Sequence, residues 1–373
     1  MSVNRLGRIF RAVLAGLVLP ACGLDRGPKP DEWVTFYPTY GQLDPARETW
    51  VVSIHAWVFE GENKEREREK GFQLFAKALG LDSGEGRTEL FRARARPFLT
   101  GSVRGRKISV LIGDQVFALG RSAGDGHIQA TLRVPAAAVR GLAQRGDFTE
   151  GWLPYRAVTG RGDPRGFSGA VQLVTETGIS VISDIDDTIK ATQVLDRREL
   201  LANTFLREYR PVPGMAEAYQ RWARAGAVFH YVSASPWQLY APLSEFLQNH
   251  GFPAGSLDLR YFRWKDASVF SLFASPEHSK PDAIERILAA FPRRRFVLVG
   301  DSGEKDAEIY GALARKFPRQ VAAIFIRNVS AENPDGERVA KAFADVPRSR
   351  WRMFESTEDL PFVNELNFLG GER

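Results

Sequence analysis

From residue 179 onward, short apolar runs alternate with helical stretches, and this rhythm restricts the fold more than any other feature of the chain. Runs at 179–182, 228–232, 296–299 and 321–326 are rich in β-branched and aromatic residues. Helical patterns at 215–225, 239–249 and 281–290 separate them. Strand–helix alternation predicts βαβ units and a parallel sheet covered on both faces. Ligands of such sheets bind at the carboxyl ends of the strands. The polar residues that directly follow the apolar runs are therefore the candidate functional residues.

The part before residue 178 has a different pattern. Runs at 33–37, 50–59, 108–112, 128–134 and 170–174 are β-branched or aromatic, with Gly, Asp and Pro clusters between them. They predict a β-rich, sandwich-like domain. One helix is expected near 65–79, with Phe72, Phe75, Ala76 and Leu79 on one face. Arg92, Arg94 and Arg96 alternate with small or apolar residues and, as a strand, would share a face. With Arg104, Arg106 and Lys107 they could form a patch for acidic lipid, or simply an exposed sheet face. A chain of 373 residues accommodates both parts. The expected organisation is an N-terminal segment 1–22, a linker 23–32, a β-rich domain 33–177 and an α/β domain 178–373, whose sheet is Rossmann-like.

Four strand ends carry the chemistry. The first reads Asp184-Ile185-Asp186-Asp187-Thr188. Carboxylates this crowded repel one another, and a divalent cation is the usual remedy. The second gives Ser233 and Ser235, the third Lys280 ahead of a helix opened by Pro281, and the fourth Gly300-Asp301 with Asp306 a few residues on. Acids, hydroxyls and a lysine at strand ends suit a phosphate held with a hard cation, and Mg2+ commonly works with substrate phosphates. Lys280 would neutralise charge on phosphate oxygens. Ser233 or Ser235 would donate a hydrogen bond to them, Ser233 being favoured because it comes first after its strand. An aspartate can act as nucleophile, and Asp186, two residues beyond Asp184 in an extended segment, can reach the same substrate as acid and base.

The order Asp-x-Asp-x-Thr, then Ser, then Lys, then Gly-Asp-x-x-x-x-Asp resembles the haloacid dehalogenase superfamily of phosphatases. The wording of 183–190, 231–237, 300–310 and 324–329 further resembles the conserved-domain, actin-patch type phosphatidate phosphatase family and its bacterial relatives. Residues 34–41 and 55–60 resemble the bacterial members as well. The resemblance implies a haloacid dehalogenase fold and hydrolysis of phosphatidate through an aspartyl-phosphate. It implies Asp184 as nucleophile, Asp186 as acid and base, and Thr188 as the residue that shapes the loop. Ser233 and Lys280 would bind phosphate. Mg2+ would be held by Asp184, Asp186 through its carbonyl, and Asp301, with Asp306 behind them or reaching the ion through water. Asp187 receives no role. The intervals from Asp184 to Ser233 and from Ser235 to Lys280, where this superfamily inserts its caps, are too short for a large one. A site without a lid suits a bulky substrate such as a phospholipid at a membrane surface. Another phosphomonoester, or a lipid-binding role without catalysis, are the other readings.

The net charge of +6 favours anionic partners. No basic–aromatic pattern for base stacking stands out, so nucleic acid is not an expected partner. No segment reaches the ~18 apolar residues of a membrane-spanning helix. The single cysteine rules out an intrachain disulfide. It stands as Cys22, after Arg5, Arg8 and Arg11 and an apolar run 12–21. That order reads as a secretory signal, and Leu19-Pro20-Ala21-Cys22 resembles a bacterial lipoprotein box. The expectation is an envelope lipoprotein anchored through Cys22. The alternative is a short N-terminal helix or tail on a cytoplasmic protein. The histidines, His55, His127, His230, His250 and His278, do not fall at metal-binding spacing.

Overall fold

The computed structural model describes residues 27–61, 65–82, 84–148, 151–262 and 279–361. The signal-like segment 1–22 with Cys22, the start of the linker, and His278 lie outside the described residues. The chain divides into two compact units. One takes residues up to Gly71 together with Leu99–Thr175, and the other takes Phe72–Phe98 together with the chain from Glu176.

The first unit is built on β1 (Glu32–Tyr37), β2 (Thr39–Asp44), β3 (Thr49–Glu60), β4 (Lys107–Ile112), β5 (Gln115–Arg121), β6 (His127–Pro135), β7 (Trp152–Ala157) and β8 (Ser168–Val174). These strands hydrogen-bond into one continuous sheet in the order β1-β3-β2-β8-β7-β4-β5, with β6 on the other edge of β3. A sandwich of two separate sheets is thus not what forms. The reason is β3. Its length lets β1 pair with its second half and β2 with its first half, with Pro38 at the corner between them, while β6 runs along the opposite edge. The interior contains Val52, Ile54, Val110, Leu153 and Val171, all nearly or fully buried. Across β3 and β6, His55 Nε2 lies 2.9 Å from His127 Nδ1. Sequence spacing could not reveal this pair, because the contact is made by strand register rather than by nearness in the chain.

The second unit holds a parallel sheet of β9 (Ile179–Ser183), β10 (Val228–Pro236), β11 (Gly255–Arg260), β12 (Arg295–Asp301), β13 (Val321–Arg327) and β14 (Trp351–Phe354). Its order is β11-β10-β9-β12-β13-β14. From β9 the chain moves outward through β10 and β11, then returns to the other side of β9 for β12, β13 and β14. The strand order reverses between β9 and β12, and such a reversal leaves a crevice at the carboxyl ends of the strands. Buried Arg294 fixes the opposite end: its side chain donates to Ser180 Oγ and to the carbonyls of Thr177 and Ile179.

The helix expected near 65–79 forms over Glu65–Leu79 and buries Phe72, Phe75, Ala76 and Leu79. The arginine-rich stretch after it is not a strand. Glu89–Ala95 is a helix, with Thr88 Oγ1 capping the amide of Phe91 at 3.2 Å. Helical spacing scatters the three arginines, so Arg92 is half-buried, Arg94 buried and Arg96 exposed. Arg106, meanwhile, pairs with Glu32 at 2.6 Å. The shared basic face read from alternation is therefore absent. The physical reason is that Phe91, Arg94, Ala95 and Phe98 are inward at helical spacing, and Phe75, Phe91 and Phe98 surround Phe205.

Candidate active site

Asp184 follows the last residue of β9, where its amide donates to the carbonyl of Val299 on neighbouring β12 at 2.9 Å. Its carboxylate is buried. Oδ1 accepts from Lys280 Nζ at 2.9 Å and Oδ2 from Thr188 Oγ1 at 3.1 Å. Lys280 stands in the first turn of the helix Ser279–Ala290 and also pairs closely with Asp306. Asp306 opens the helix Asp306–Lys316, and its Oδ2 accepts from the amide of Asp301 at 3.3 Å. Gly300 permits this approach, because a Cβ there would come within 2.2 Å of Asp306 Oδ2.

Asp301 Oδ1 accepts from the amides of Gly303 and Glu304 at 2.7 and 3.2 Å. Its Oδ2 is buried and has no hydrogen-bond partner among the described residues. Asp184, Asp301 and Asp306 each offer a carboxylate oxygen, all within 4.8 Å of one another. Burial pushes Asp184 and Asp301 well above the usual carboxylate range. Crowding by their acidic neighbours adds to this, and Lys280 opposes it. Burial also works against the charge on Lys280, but Asp184 and Asp306 beside it outweigh that and push its pKa up. The donor set is all oxygen, one oxygen is unsatisfied, and the local charge is negative. These residues therefore fit a hard divalent cation.

Asp186 has different company. Oδ1 accepts from Lys190 Nζ at 2.7 Å and from Thr192 Oγ1 at 2.8 Å. Oδ2 accepts from Ser235 Oγ at 2.8 Å and from Ser233 Oγ at 3.2 Å. Burial would raise its pKa, but Lys190 and these hydroxyls bring it down to about 2. Both serines lie near the carboxyl end of β10 and reach the same carboxylate oxygen, so the geometry does not favour one over the other. Ser235 even donates its amide to Ser233 Oγ at 3.0 Å.

The residues expected at the site thus form two hydrogen-bonded groups, one around Asp184 and one around Asp186, at the carboxyl ends of inner strands of the parallel sheet. Three that sequence reasoning missed complete it. Asp187 adopts a left-handed backbone with φ 53°, a conformation that Asp tolerates better than most residues. Its carboxylate accepts the amides of Thr192 and Gln193 at 2.8 Å each and of Val194 at 2.6 Å, and its carbonyl accepts from Arg327 Nη1 at 2.6 Å. It therefore folds the loop behind Asp186. Lys190 supplies a second buried cation. Glu304 lies 3.9 Å from Lys280, and burial, with Asp306 and Asp186 adding to it against Lys280, raises its pKa to about 7. In the sequence Lys190 stands four residues after Asp186, at the end of the stretch 183–190, but with no role assigned to it. For Asp187 and Glu304 the signal was their nearness to other acids.

Residues 179–328 match the family model described as the catalytic domain of phosphatidate phosphatase APP1. The chain is 37% identical to phosphatidate phosphatase APP1 of Saccharomyces cerevisiae over 183 residues, which is 48% of this chain and 30% of the yeast protein. It is 32% identical to an uncharacterized protein of Schizosaccharomyces pombe over 172 residues, 45% of this chain and 28% of that one. The matches thus span less than a third of the length of either relative. The matched segment contains β9 to β13 and every residue of the site just described. Residues 179–328 are thus similar to the catalytic domain of phosphatidate phosphatase APP1.

Proposed function

We propose that this protein is a Mg2+-dependent phosphatase that hydrolyses phosphatidate to diacylglycerol and phosphate. The observation that carries the chemistry is the buried cluster of Asp184, Asp301 and Asp306 against Lys280, with one oxygen of Asp301 unsatisfied. The family match of 179–328 and the name of the yeast relative support the substrate.

Asp184 attacks phosphorus through a carboxylate oxygen. The bond from phosphorus to the glycerol oxygen breaks, and Asp186 gives that oxygen its proton. Asp186 then takes a proton from water as the water attacks the aspartyl-phosphate, releasing phosphate and restoring Asp184. Lys280 offsets charge on the phosphoryl oxygens, and Ser233 and Ser235 donate to them. A bound Mg2+, held by Asp184 and Asp301 with the Asp186 carbonyl and backed by Asp306, supplies charge neutralisation for the phosphate. The ionised Asp186, with its pKa near 2, is the form needed in the second step. For the first step, the substrate's own negative charge beside Asp186 raises that carboxyl's affinity for a proton.

Between Asp184 and the start of β10 the described elements of regular secondary structure are two helices, Arg197–Phe205 and Met215–Arg224. This modest interval supports an open site for a lipid head group at a membrane surface. A lipidated Cys22 would add an anchor there, and mass spectrometry of the mature N-terminus tests that part separately: an unmodified Met1 removes it. The activity itself is tested by phosphate release from phosphatidate in mixed micelles, with and without Mg2+. Turnover no greater than that of Asp184→Asn overturns the proposal. A panel including lysophosphatidate, phosphopeptides and nucleotides identifies another phosphomonoester if phosphatidate is not the best substrate.

A further inference from the structure

Lys190 is 2% exposed, and a lysine this deeply buried needs a charged partner. Its ammonium meets Asp186 Oδ1 at 2.7 Å and hydrogen-bonds Thr192 Oγ1, which itself donates to the same carboxylate oxygen. Its backbone is fixed as well: its amide donates to Ile185 at 3.0 Å and its carbonyl accepts from Asp187 at 2.7 Å. The ammonium also lies 4.7 Å from the centre of the Tyr209 ring. A second buried cation, Arg94, sits over the same ring at 4.0 Å. Arg94 donates to the carbonyl of Thr204 at 3.0 Å, the same carbonyl that accepts from the Tyr209 hydroxyl at 3.3 Å. An unbroken run of contacts thus leads from the helix Glu89–Ala95, through Arg94, Tyr209 and Lys190, to Asp186.

We infer that Lys190 is a positioning residue: it holds one oxygen of Asp186 so that the other faces Ser233 and Ser235, where the leaving oxygen of the substrate must lie. Arg94 and Tyr209 hold Lys190 in turn. Without the ammonium, Asp186 Oδ1 keeps only the Thr192 hydroxyl, and nothing charged stops the carboxyl group from rotating about its side-chain bonds. Arg94 comes from outside the matched segment 179–328, so proton transfer at Asp186 depends on a part of the chain that the family match does not include.

The inference rests on Asp186 as proton donor, and the test separates the two. The full chain is assayed on p-nitrophenyl phosphate, whose leaving group departs without a proton, on phenyl phosphate, which needs one more, and on dioctanoyl phosphatidate in mixed micelles. A merely structural defect lowers kcat on all three by one factor. Misplacing the proton donor lowers kcat most where the leaving group is poorest. Lys190→Met is expected to lose about ten-fold or more in kcat on phenyl phosphate beyond its loss on p-nitrophenyl phosphate, with KM changed little. Lys190→Arg restores most of the difference. Arg94→Met and Thr192→Val show it to a smaller degree. Asp186→Asn is the reference. If its loss grows with poorer leaving groups while that of Lys190→Met does not, the positioning role is overturned and the acid role stands. If Asp186→Asn is itself insensitive to the leaving group, the acid assignment falls and this inference with it. Should Lys190→Met fail to fold, as judged by circular dichroism, Thr192→Val decides, and an unchanged leaving-group dependence overturns the inference. A parent that cleaves the aryl esters but not phosphatidate refutes only the substrate.

Discussion

Asp184 and Asp186 stand two residues apart at the same strand end, yet the chain surrounds them in opposite ways. Around Asp184 the acids outnumber the cations: Asp306 and Glu304 share Lys280 with it, and Asp301 lies in the same carboxylate cluster. Around Asp186 the carboxylate is fully satisfied by one lysine and three hydroxyls. The first environment lacks positive charge and suits a cation with an anionic substrate. The second already holds a settled anion. Two like groups are thereby held in different environments, and the difference can be broken from either side.

The largest effect is expected from Asp184→Asn, which removes the attacking oxygen's charge and should lower phosphate release by about 10³-fold or more. Lys280→Met should cost about 10²-fold in kcat, because the phosphoryl oxygens lose their cationic partner. If Asp184→Asn retains a tenth of the parent turnover, the nucleophile lies elsewhere.

The cation requirement gives the next effect. A ligand at a hundred times its dissociation constant stabilises the folded state by about 2.7 kcal/mol. For a domain of this size that corresponds to a rise of about 5–10 °C in Tm. Saturating Mg2+ should produce such a rise over a chelated sample of the parent, and little or none with Asp301→Asn. Equal shifts for both proteins would place the ion away from Asp301.

Asp187→Ala should act on the other side of the comparison. It leaves the amides of Thr192, Gln193 and Val194 without their acceptor and puts Ala in a left-handed backbone. A loss of about 2–3 kcal/mol in urea unfolding is expected, with a smaller loss for Asp187→Asn, which retains one acceptor oxygen.

Much of this site was legible because strand ends and polar residues coincide in the sequence. Asp184, Ser233 and Asp301 each follow or close a run of buried β-branched or aromatic residues, so the parallel-sheet rule alone brought them together. The edge strands β11 and β14 were not legible. Gly255–Arg260 carries Gly, Ser and Asp in place of a β-branched run, and Trp351–Phe354 is only four residues long. Arg92, Arg94 and Arg96 misled because spacing by two imitates a strand. The cap at Thr88 and the inward spacing of Phe91, Arg94, Ala95 and Phe98 were the better signals. The continuous sheet of the first unit turned on the length of β3, and strand runs do not say which neighbours a long strand will take. Lys190 and Asp187 act through contacts that only the folded loop creates.

The smallest expected effect concerns Glu304, whose side chain keeps 25% of its surface exposed, so its shift translates into a modest energy. Its pKa is about 7 in the folded protein against 4.5 ordinarily, from burial and acidic neighbours opposed by Lys280. Between those two values the folded state binds more protons at Glu304 than the unfolded state does. Stability therefore falls as pH rises through this window. In chelator, the parent should lose about 1 kcal/mol between pH 5 and pH 7 from this group, whereas Glu304→Gln, which cannot ionise, should not. With Mg2+ bound nearby the negative charge is offset, and the two proteins should converge. If they also run in parallel in chelator, Glu304 is ionised throughout, and the excess of acid around Asp184 is smaller than the geometry implies.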